Sequence, residues 1–389
     1  MRRQLKKYIL AVSFMLALPM LVLAAVSYIG FDFPGATITE AFGINSQGTK
    51  IVGSRCTDGI GPANSCSAPG TQPSHGYVRR QAADGTLQGY DSINVPGASE
   101  TEATGINKAG RVVGLWDPPG VPAGSDIGHG YWCDLPGCLS NNPASFNTVD
   151  FPGAKSTDFT GINDHGDMTG LFSNTATNPI DHGFLRTANG KKCSVDVPTT
   201  LIPGALDTNT LAIDNERNLV GSFSDEVAGD IKAFLVIDVE TEEVKDGGKC
   251  KIPDRNWFFF TYPVASLPQG ATSVVQTEAA GISNVEVEGR YYSGEIPVVV
   301  GNYVADPDNV SHAFKLSGYT LDKVNHKLVG GTFETIDYFK TTAGDNTFCG
   351  GTVKCDNAAS AVNSKGTILL NYEDGSGSTV KERAAIRKP

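Results

Sequence analysis

One phrase recurs along the chain, and this internal repeat constrains the fold more than any other feature. Its clear copies read FDFPGATITEAFGINSQGTKIVGS from Phe31, INVPGASETEATGINKAGRVVGLW from Ile93 and VDFPGAKSTDFTGINDHGDMTGLF from Val149. Weaker copies follow from Leu206, Gln276 and Asn357. The residue before the Ile-Asn pair, or its equivalent, marks the six copies: Gly43, Gly105, Gly161, Ala212, Gly281 and Ala361. Successive markers are about 60 residues apart, the size of a four-stranded sheet with its loops.

Each copy has the pattern of antiparallel strands. In the Gly-Ile-Asn-x-x-Gly-x-Val-Val-Gly stretch, the Asn side chain opens a turn, and the Gly three residues later closes a hairpin. A shorter element with a basic residue predicts a third strand, at His75, His129, His182, Lys232, His312 and Arg383. A segment that ends at Pro-Gly, such as Leu87 to Val95, predicts a fourth strand because Pro ends the pairing there.

The two ends of the chain complement each other. The last copy stops after its third strand, at Arg383 to Arg387, while Tyr28 to Pro34 matches the fourth-strand segment Tyr90 to Pro96. The start of the chain can therefore supply the strand that its end lacks, which is how a β-propeller hides its edges. An open solenoid needs capping units and does not predict complementary ends. The prediction is an all-β, six-bladed propeller over residues 28–389, with the N-terminal strand completing the last blade.

The repeat resembles the extracellular HAF-repeat family, named for a His-Ala-Phe element that stands here as His312-Ala313-Phe314. Variant forms begin at His75, His129 and His182. The resemblance covers nearly all of Tyr28 to Pro389 and is clearest in the first three copies. It implies a secreted, propeller-like bacterial protein and supplies no mechanism.

The N-terminal segment has the form of a secretory signal peptide. Arg2, Arg3, Lys6 and Lys7 precede an apolar run from Tyr8 to Val26, and cleavage after Ala24 or after Ser27 both fit the small-residue rule. Residues 1–27 are accordingly predicted to be removed, leaving no membrane span; an uncleaved membrane anchor is the alternative. Loss of this segment takes the formal net charge from −11 to −15, which disfavours nucleic acid and anionic lipid as partners. The predicted location is secreted or periplasmic.

Eight cysteines in an exported chain indicate disulfides. The most economical pairing joins Cys56 to Cys66, Cys133 to Cys138 and Cys349 to Cys355, which leaves Cys193 with Cys250. Zinc binding is the alternative, although no pair has the two-residue spacing of a zinc site.

The third-strand basic residues have a repeated acidic counterpart. Glu40, Glu102, Asp158 and Glu278 stand three residues before the marker in four copies. One interpretation is a set of structural pairs between these acids and His75, His129, His182 and His312, because a packing device is needed in every blade. The other is a ring of imidazoles that binds a metal or an anion.

Insertions break the repeat, and binding residues concentrate in such loops. Their aromatic and basic residues suit stacking on a carbohydrate or contact with a protein; they are Trp257, Phe259, Tyr262, Arg290, Tyr291 and Tyr292. The alternative for Trp257 to Tyr262 is a buried fourth strand. Scattered carboxylates near the loops, including Asp117, Asp126, Asp225, Asp306 and Asp308, leave calcium open as a cofactor; no other cofactor is predicted.

No catalytic signature stands out. The chain has no Gly-x-Ser-x-Gly elbow, no His-Glu-x-x-His pair, no EF-hand loop and no Asp box. The leading hypothesis is a non-catalytic secreted scaffold that binds a protein or a glycan of the cell envelope or the extracellular space. The alternative is a hydrolase or lyase with a carboxylate or calcium site at the mouth of the central channel.

Overall fold

The computed structural model describes residues 26–56, 74–121, 127–175, 180–240, 246–267, 271–285, 296–307, 309–338, 356–374 and 381–389. These residues form an all-β structure with a propeller-like arrangement of sheets. The predicted signal peptide, Arg290, Tyr291, Tyr292, Asp126, Asp308 and three of the cysteines, Cys66, Cys349 and Cys355, lie outside the described residues, apart from the final residues of the signal segment. None of the described residues belongs to a helix long and apolar enough to cross a membrane.

The strands follow one another with short connections. In chain order they are β1 (Ser27–Phe31), β2 (Ile38–Ile44), β3 (Lys50–Cys56), β4 (His75–Gln81), β5 (Leu87–Ile93), β6 (Glu100–Ile106), β7 (Arg111–Asp117), β8 (His129–Asp134), β9 (Phe146–Thr148), β10 (Ser156–Ile162), β11 (Met168–Ser173), β12 (Asp181–Arg186), β13 (Lys192–Val195), β14 (Ala205–Ile213), β15 (Leu219–Asp225), β16 (Asp230–Val236), β17 (Gly248–Lys249), β18 (Trp257–Phe260), β19 (Ser273–Ser283), β20 (Val298–Asp306), β21 (Val310–Asp322), β22 (Lys327–Thr335), β23 (Asn357–Val362), β24 (Ile368–Asp374) and β25 (Lys381–Lys388). Single turns of 3₁₀ helix lie at Gly137–Leu139, Pro143–Ser145, Asp254–Asn256 and Val264–Ser266.

The described strands form five sheets. The first three copies of the repeat give the sheets β2-β3-β4-β5, β6-β7-β8-β9 and β10-β11-β12-β13-β17, and the last copy gives β1-β25-β24-β23. The fourth and fifth copies share one eight-stranded sheet, where the sequence predicts two separate blades. The link between them is slight, because β18 meets β22 at the single pair Phe259 and Lys327, and β16 meets β19 at Ile231 and Gln276.

The two chain ends meet as the sequence predicts. Strand β1 pairs antiparallel with β25 over five residue pairs, from Ser27 opposite Lys388 to Phe31 opposite Ala384. The Arg383 guanidinium adds an ion pair to Asp32 just beyond β1. The N-terminal strand thus covers the edge of the C-terminal hairpin and closes the sheet arrangement.

The glycine that ends each Val-Val-Gly stretch is required by a bulge in the facing strand. In the first copy, the register of β2 against β3 shifts between Ala41 and Gly43. A Cβ atom added at Gly53 would lie 1.9 Å from the main-chain oxygen of Glu40, and the same approach recurs at Gly114 and Gly170. Any side chain at these positions would force the two strands apart.

The repeated asparagine closes its own turn and also ties neighbouring copies together. The Asn107 side-chain oxygen accepts a hydrogen bond from the Arg111 amide, while its nitrogen donates to the main-chain oxygen of Asn163. Asn163 donates to the Asp214 carbonyl in the same way, and Asn363 donates to the Asn45 carbonyl. The sequence predicted that this asparagine closes a turn. The structure adds a second role, a hydrogen bond to the neighbouring copy.

Two of the predicted disulfides are present, Cys133–Cys138 and Cys193–Cys250. The second joins residues 57 positions apart and fixes the segment after β17 against β13. Cys56 is fully buried and disulfide-bonded. None of the described cysteines is free.

Candidate functional site

The axial passage is lined by the same three positions of every copy. Its wall consists of the first-strand residues Phe42 to Ile44, Thr104 to Ile106, Thr160 to Ile162, Leu211 to Ile213, Ala280 to Ile282 and Ser360 to Val362. The passage holds only about 70 Å³. The main chains of neighbouring copies pack closely around it, since a Cβ atom added at Gly43 would lie 2.9 Å from the Gly105 Cα atom. The passage itself is too narrow for a small-molecule ligand, which occupies 300 Å³ or more.

Carboxyl groups collect beside one end of the passage. Glu102 and Asp158 line a funnel of about 280 Å³ together with apolar residues such as Phe42 and Leu211. Glu40, at the same repeat position, is buried and accepts a hydrogen bond of 2.7 Å from the Ser54 hydroxyl. Burial, with repulsion from Glu382, raises the Glu40 pKa well above its ordinary value.

The Glu40 and Glu382 carboxyl groups hydrogen-bond to each other across the junction between the first and last copies. This bond raises the Glu40 pKa and lowers that of Glu382. Burial still raises the Glu382 pKa to about 7. Nearby, burial and the Glu100 charge raise the Asp117 pKa to about 6. Within the described ranges, no three His, Cys, Asp or Glu side chains are grouped so that they could hold a metal ion.

The third-strand histidines do not pair with the first-strand acids, which corrects the predicted structural pairs. The Nδ1 atoms of His129, His182 and His312 lie 2.7–3.0 Å from Asp150, Asp196 and Asp337, and that of His75 lies 3.1 Å from the Asn94 amide oxygen. The reason is the order of strands within each sheet. The second strand separates the first from the third, as β3 separates β2 from β4, whereas the residues after the fourth strand are direct neighbours.

The first-strand acids instead contact groups on the second strand or on the preceding copy. Glu40 faces Ser54 across the β2–β3 pair, and the Asn302 amide donates to Glu278 at 3.4 Å. The Ser74 hydroxyl approaches Glu102 at 3.4 Å. Asp158 lies close to Gly128, where an added Cβ atom would be 3.2 Å from its Oδ1 atom.

The aromatic segment is the buried strand that the sequence analysis gave as its alternative. Trp257 in β18 is 1% exposed, and its ring packs against Phe234 and Phe259. Tyr262 is 2% exposed, stacks on Tyr303 with ring centroids 3.7 Å apart, and hydrogen-bonds to Thr335. Phe259 is partly exposed and meets Phe223 edge to face. These rings are therefore not free stacking platforms on a surface loop.

A larger cavity lies between the third and fourth copies, where Trp257 forms part of the wall. This inter-repeat cavity has a volume of about 460 Å³, within the usual range for small-molecule sites. Its walls come from the start of β12, the end of β13, the connection from β13 to β14, and the segment after β17; the residues that matter below are Asp181, His182, Asp196, Thr200, Asp207, Lys249 and Trp257.

The inter-repeat cavity lies where the connection into the fourth copy is longer than the connections into the first three copies. In the first copy, the Phe33 amide donates to the Thr39 hydroxyl six residues later; here the equivalent bond joins Val197 to Thr208, eleven residues later. The extra residues, which include Thr199 and Thr200, are exposed at the rim. The Cys193–Cys250 disulfide brings the segment after β17 to the other side. The insertion is visible in the sequence, but its contact with Cys250 and Trp257 is not.

Oxygen acceptors dominate the polar groups of the inter-repeat cavity. His182 Nδ1 lies 2.9 Å from Asp196, and the imidazole stacks on Phe172. The Asp207 carboxylate accepts a hydrogen bond from the Asp181 amide at 3.2 Å. Lys249 is exposed at the edge. The Trp257 Nε1–H group is buried and has no hydrogen-bond partner in the described part of the chain.

Comparisons with known proteins give distant structural likenesses only. No protein-family model and no curated sequence matches the chain. The Trypanosoma rangeli sialidase has 10% identity and a TM-score of 0.46 over 93% of this chain, which spans 57% of the sialidase. The PQQ-bound aldose sugar dehydrogenase of Streptomyces coelicolor has 12% identity and a TM-score of 0.41, with 94% of this chain and 98% of that chain covered. The N11 neuraminidase-like protein of an influenza virus from a flat-faced bat has 9% identity and a TM-score of 0.40, with 93% of each chain covered. Nothing about activity follows from similarities this distant.

Proposed function

We propose that the chain is a secreted six-bladed propeller of the HAF-repeat type, in which the fourth and fifth copies count as separate blades. Two observations support the count. The first strands of all six copies line one passage. A hydrogen bond also joins the main-chain amide that follows each fourth-strand segment to a side chain on the first strand of the following copy. It recurs six times: Phe33 to Thr39, Val95 to Thr101, Phe151 to Thr157, Val197 to Thr208, Tyr262 to Thr277 and Tyr338 to Asn357.

The function we propose for this propeller is that of a binding scaffold for an envelope or extracellular glycan. The single observation that carries this proposal is the inter-repeat cavity of about 460 Å³, which combines a buried indole wall with hydroxyl and carboxylate groups. Concave sites with an aromatic wall and a few polar groups suit sugars, whose hydroxyls need hydrogen-bond partners and whose ring faces need apolar contact.

Binding rather than chemistry fits the groups in the inter-repeat cavity. The His182–Asp196 pair has the form of a general base with its orienting carboxylate. The same pair occurs at His129 with Asp150 and at His312 with Asp337. A device repeated around the ring serves packing, so the pair does not mark this cavity as catalytic.

A glycan array tests the proposal. The mature protein is expected to bind a restricted set of oligosaccharides, and Thr200→Trp is expected to abolish binding because the indole would fill the rim of the inter-repeat cavity. Thr320→Trp is the matched control, since Thr320 is an exposed threonine on β21 that does not line the cavity. Binding that survives Thr200→Trp would show that the cavity is not the site. Release of shortened sugars would favour the hydrolase or lyase alternative.

A further inference from the structure

We infer that the inter-repeat cavity selects neutral or amino sugars and excludes acidic ones, an inference that rests on the proposed glycan-binding function. Three carboxylates, those of Asp181, Asp196 and Asp207, belong to its wall. The basic side chains among the described lining residues are His182, which is bonded to Asp196, and Lys249 at the exposed edge. The described lining therefore offers acceptors to a ligand and contains no arginine fork of the kind that binds a sugar carboxylate.

The Asp207 carboxylate has capacity left for a ligand. Its Oδ1 atom accepts the Asp181 amide hydrogen bond at 3.2 Å, and its Oδ2 atom has no protein partner among the described residues. An ionised carboxylate accepts several hydrogen bonds and donates none. A sugar hydroxyl can donate to it and an ammonium group can pair with it, whereas a second carboxylate would be repelled.

Asn can replace Asp207 without a change in backbone conformation. Asp207 lies in the left-handed region with φ of 47°, which Asp and Asn tolerate better than other residues with a Cβ atom. The substitution Asp207→Asn therefore removes the charge without moving the chain. Asp238 provides a matched control, because it has a φ of 51°, is exposed and does not line the cavity.

The buried Trp257 indole supports the same ligand class. Trp257 is a lining residue of the cavity, and an aromatic ring in a wall offers apolar contact to the face of a sugar ring. A polyhydroxylated ligand brings oxygen atoms next to this wall, and each of them can act as an acceptor as well as a donor. The site thus combines carboxylate acceptors with threonine hydroxyls and an aromatic wall, a set that a sugar matches with its hydroxyl groups and its ring face.

Calorimetric titration tests the inference with four probes: oligomers of galactose, N-acetylglucosamine, glucosamine and galacturonic acid, each of six sugars. We expect wild-type protein to bind at least one neutral or amino oligomer and to bind the galacturonic acid oligomer at least tenfold more weakly than that one. Asp207→Asn should weaken binding of the neutral or amino oligomer about tenfold. The difference between its affinity and that of the galacturonic acid oligomer should then become smaller. Asp238→Asn should bind like wild type, and melting temperatures of both variants report on folding.

Two outcomes separate this inference from the function on which it rests. If the galacturonic acid oligomer binds as tightly as any other probe, and Thr200→Trp abolishes that binding, the cavity binds glycans but the selectivity inference is wrong. If none of the four oligomers binds and no array glycan shows binding that depends on Thr200, both proposals are wrong. Equal loss of affinity in Asp207→Asn and Asp238→Asn would also overturn the role given to Asp207.

Discussion

The junction between the first and last blades should lose stability as the pH rises. A carboxyl whose folded-state pKa lies above its unfolded value holds a proton that the unfolded chain has already released. The folded state is then favoured at low pH, and the advantage disappears as the pH rises from the unfolded to the folded value. For Glu382 this interval runs from 4.5 to about 7. The substitution Glu382→Gln removes the ionisation and places an amide donor beside Glu40.

The size of the effect follows from the pKa of Glu382. One pKa unit corresponds to about 1.4 kcal/mol, so the shift from 4.5 to about 7 sets an upper limit of about 3 kcal/mol. For a folded chain of this size the entropy of unfolding is roughly 0.75 kcal/mol per kelvin, which converts this limit into about 4 °C of melting temperature. Glu382→Gln should therefore melt up to about 4 °C above wild type at pH 8 and close to wild type at pH 4.5.

Differential scanning calorimetry between pH 4.5 and 8 measures this difference directly. Glu226→Gln is the control, because Glu226 is exposed and its substitution leaves the junction intact. The reasoning fails if Glu382→Gln shows the same dependence of melting temperature on pH as wild type. It also fails if the variant is less stable than wild type at pH 8, because the buried negative charge would then be favourable rather than costly.

Three further substitutions test the packing of the ring. Gly43→Ala should lower the unfolding free energy by about 2 kcal/mol in a denaturant titration, because its Cβ atom would lie 2.8 Å from the Thr104 carbonyl oxygen. The control Gly137→Ala, whose Cβ atom would have its nearest neighbour at 3.6 Å, should lower it by less than about 0.5 kcal/mol. Loss of the Cys193–Cys250 disulfide by double Ser substitution should cost about 4 kcal/mol, against about 2 kcal/mol for the short Cys133–Cys138 loop; equal losses would contradict the loop-entropy reasoning. Removal of residues 27–33 should lower stability by several kcal/mol and expose the edge of β25, so size-exclusion chromatography should show association; a monomer as stable as the full chain would refute the closing role of β1.

The repeat itself predicted most of the fold. The hairpin read from Gly-Ile-Asn-x-x-Gly is formed by β2 and β3 and again by β6 and β7, and β1 closes on β25 as the matching ends required. These features depend on turn and strand residues that recur in each copy, so the weak sequence patterns of the six copies support one another. The shared sheet of the fourth and fifth copies could not be predicted, because it depends on single bridges between residues such as Phe259 and Lys327.

The histidine partners show where the pattern was incomplete. Both the first-strand acid and a polar residue two positions before the proline recur in the copies, and spacing alone does not say which of them meets His129 or His182. The order of strands does, because a third strand touches the second and the fourth and never the first. The sequence carried this signal in Asn94, Asp150 and Asp196, each of which stands one residue before a Val-Pro or Phe-Pro pair.

Residues that recur in the copies explain packing, so residues that occur in one copy only are the better candidates for function. Contacts that recur around the ring, such as the asparagine ties and the histidine pairs, are needed wherever two blades meet, so their recurrence is explained by packing alone. The inter-repeat cavity arises where the fourth copy departs from the rule, through a longer connection after Val197 and a distant disulfide. Similar copies arranged side by side provide one rigid frame, and an irregular junction between two of them can change to suit a ligand without disturbing the others. For this reason substitutions at Thr200 and Asp207 should alter binding with little effect on stability, whereas Gly43 should alter stability first.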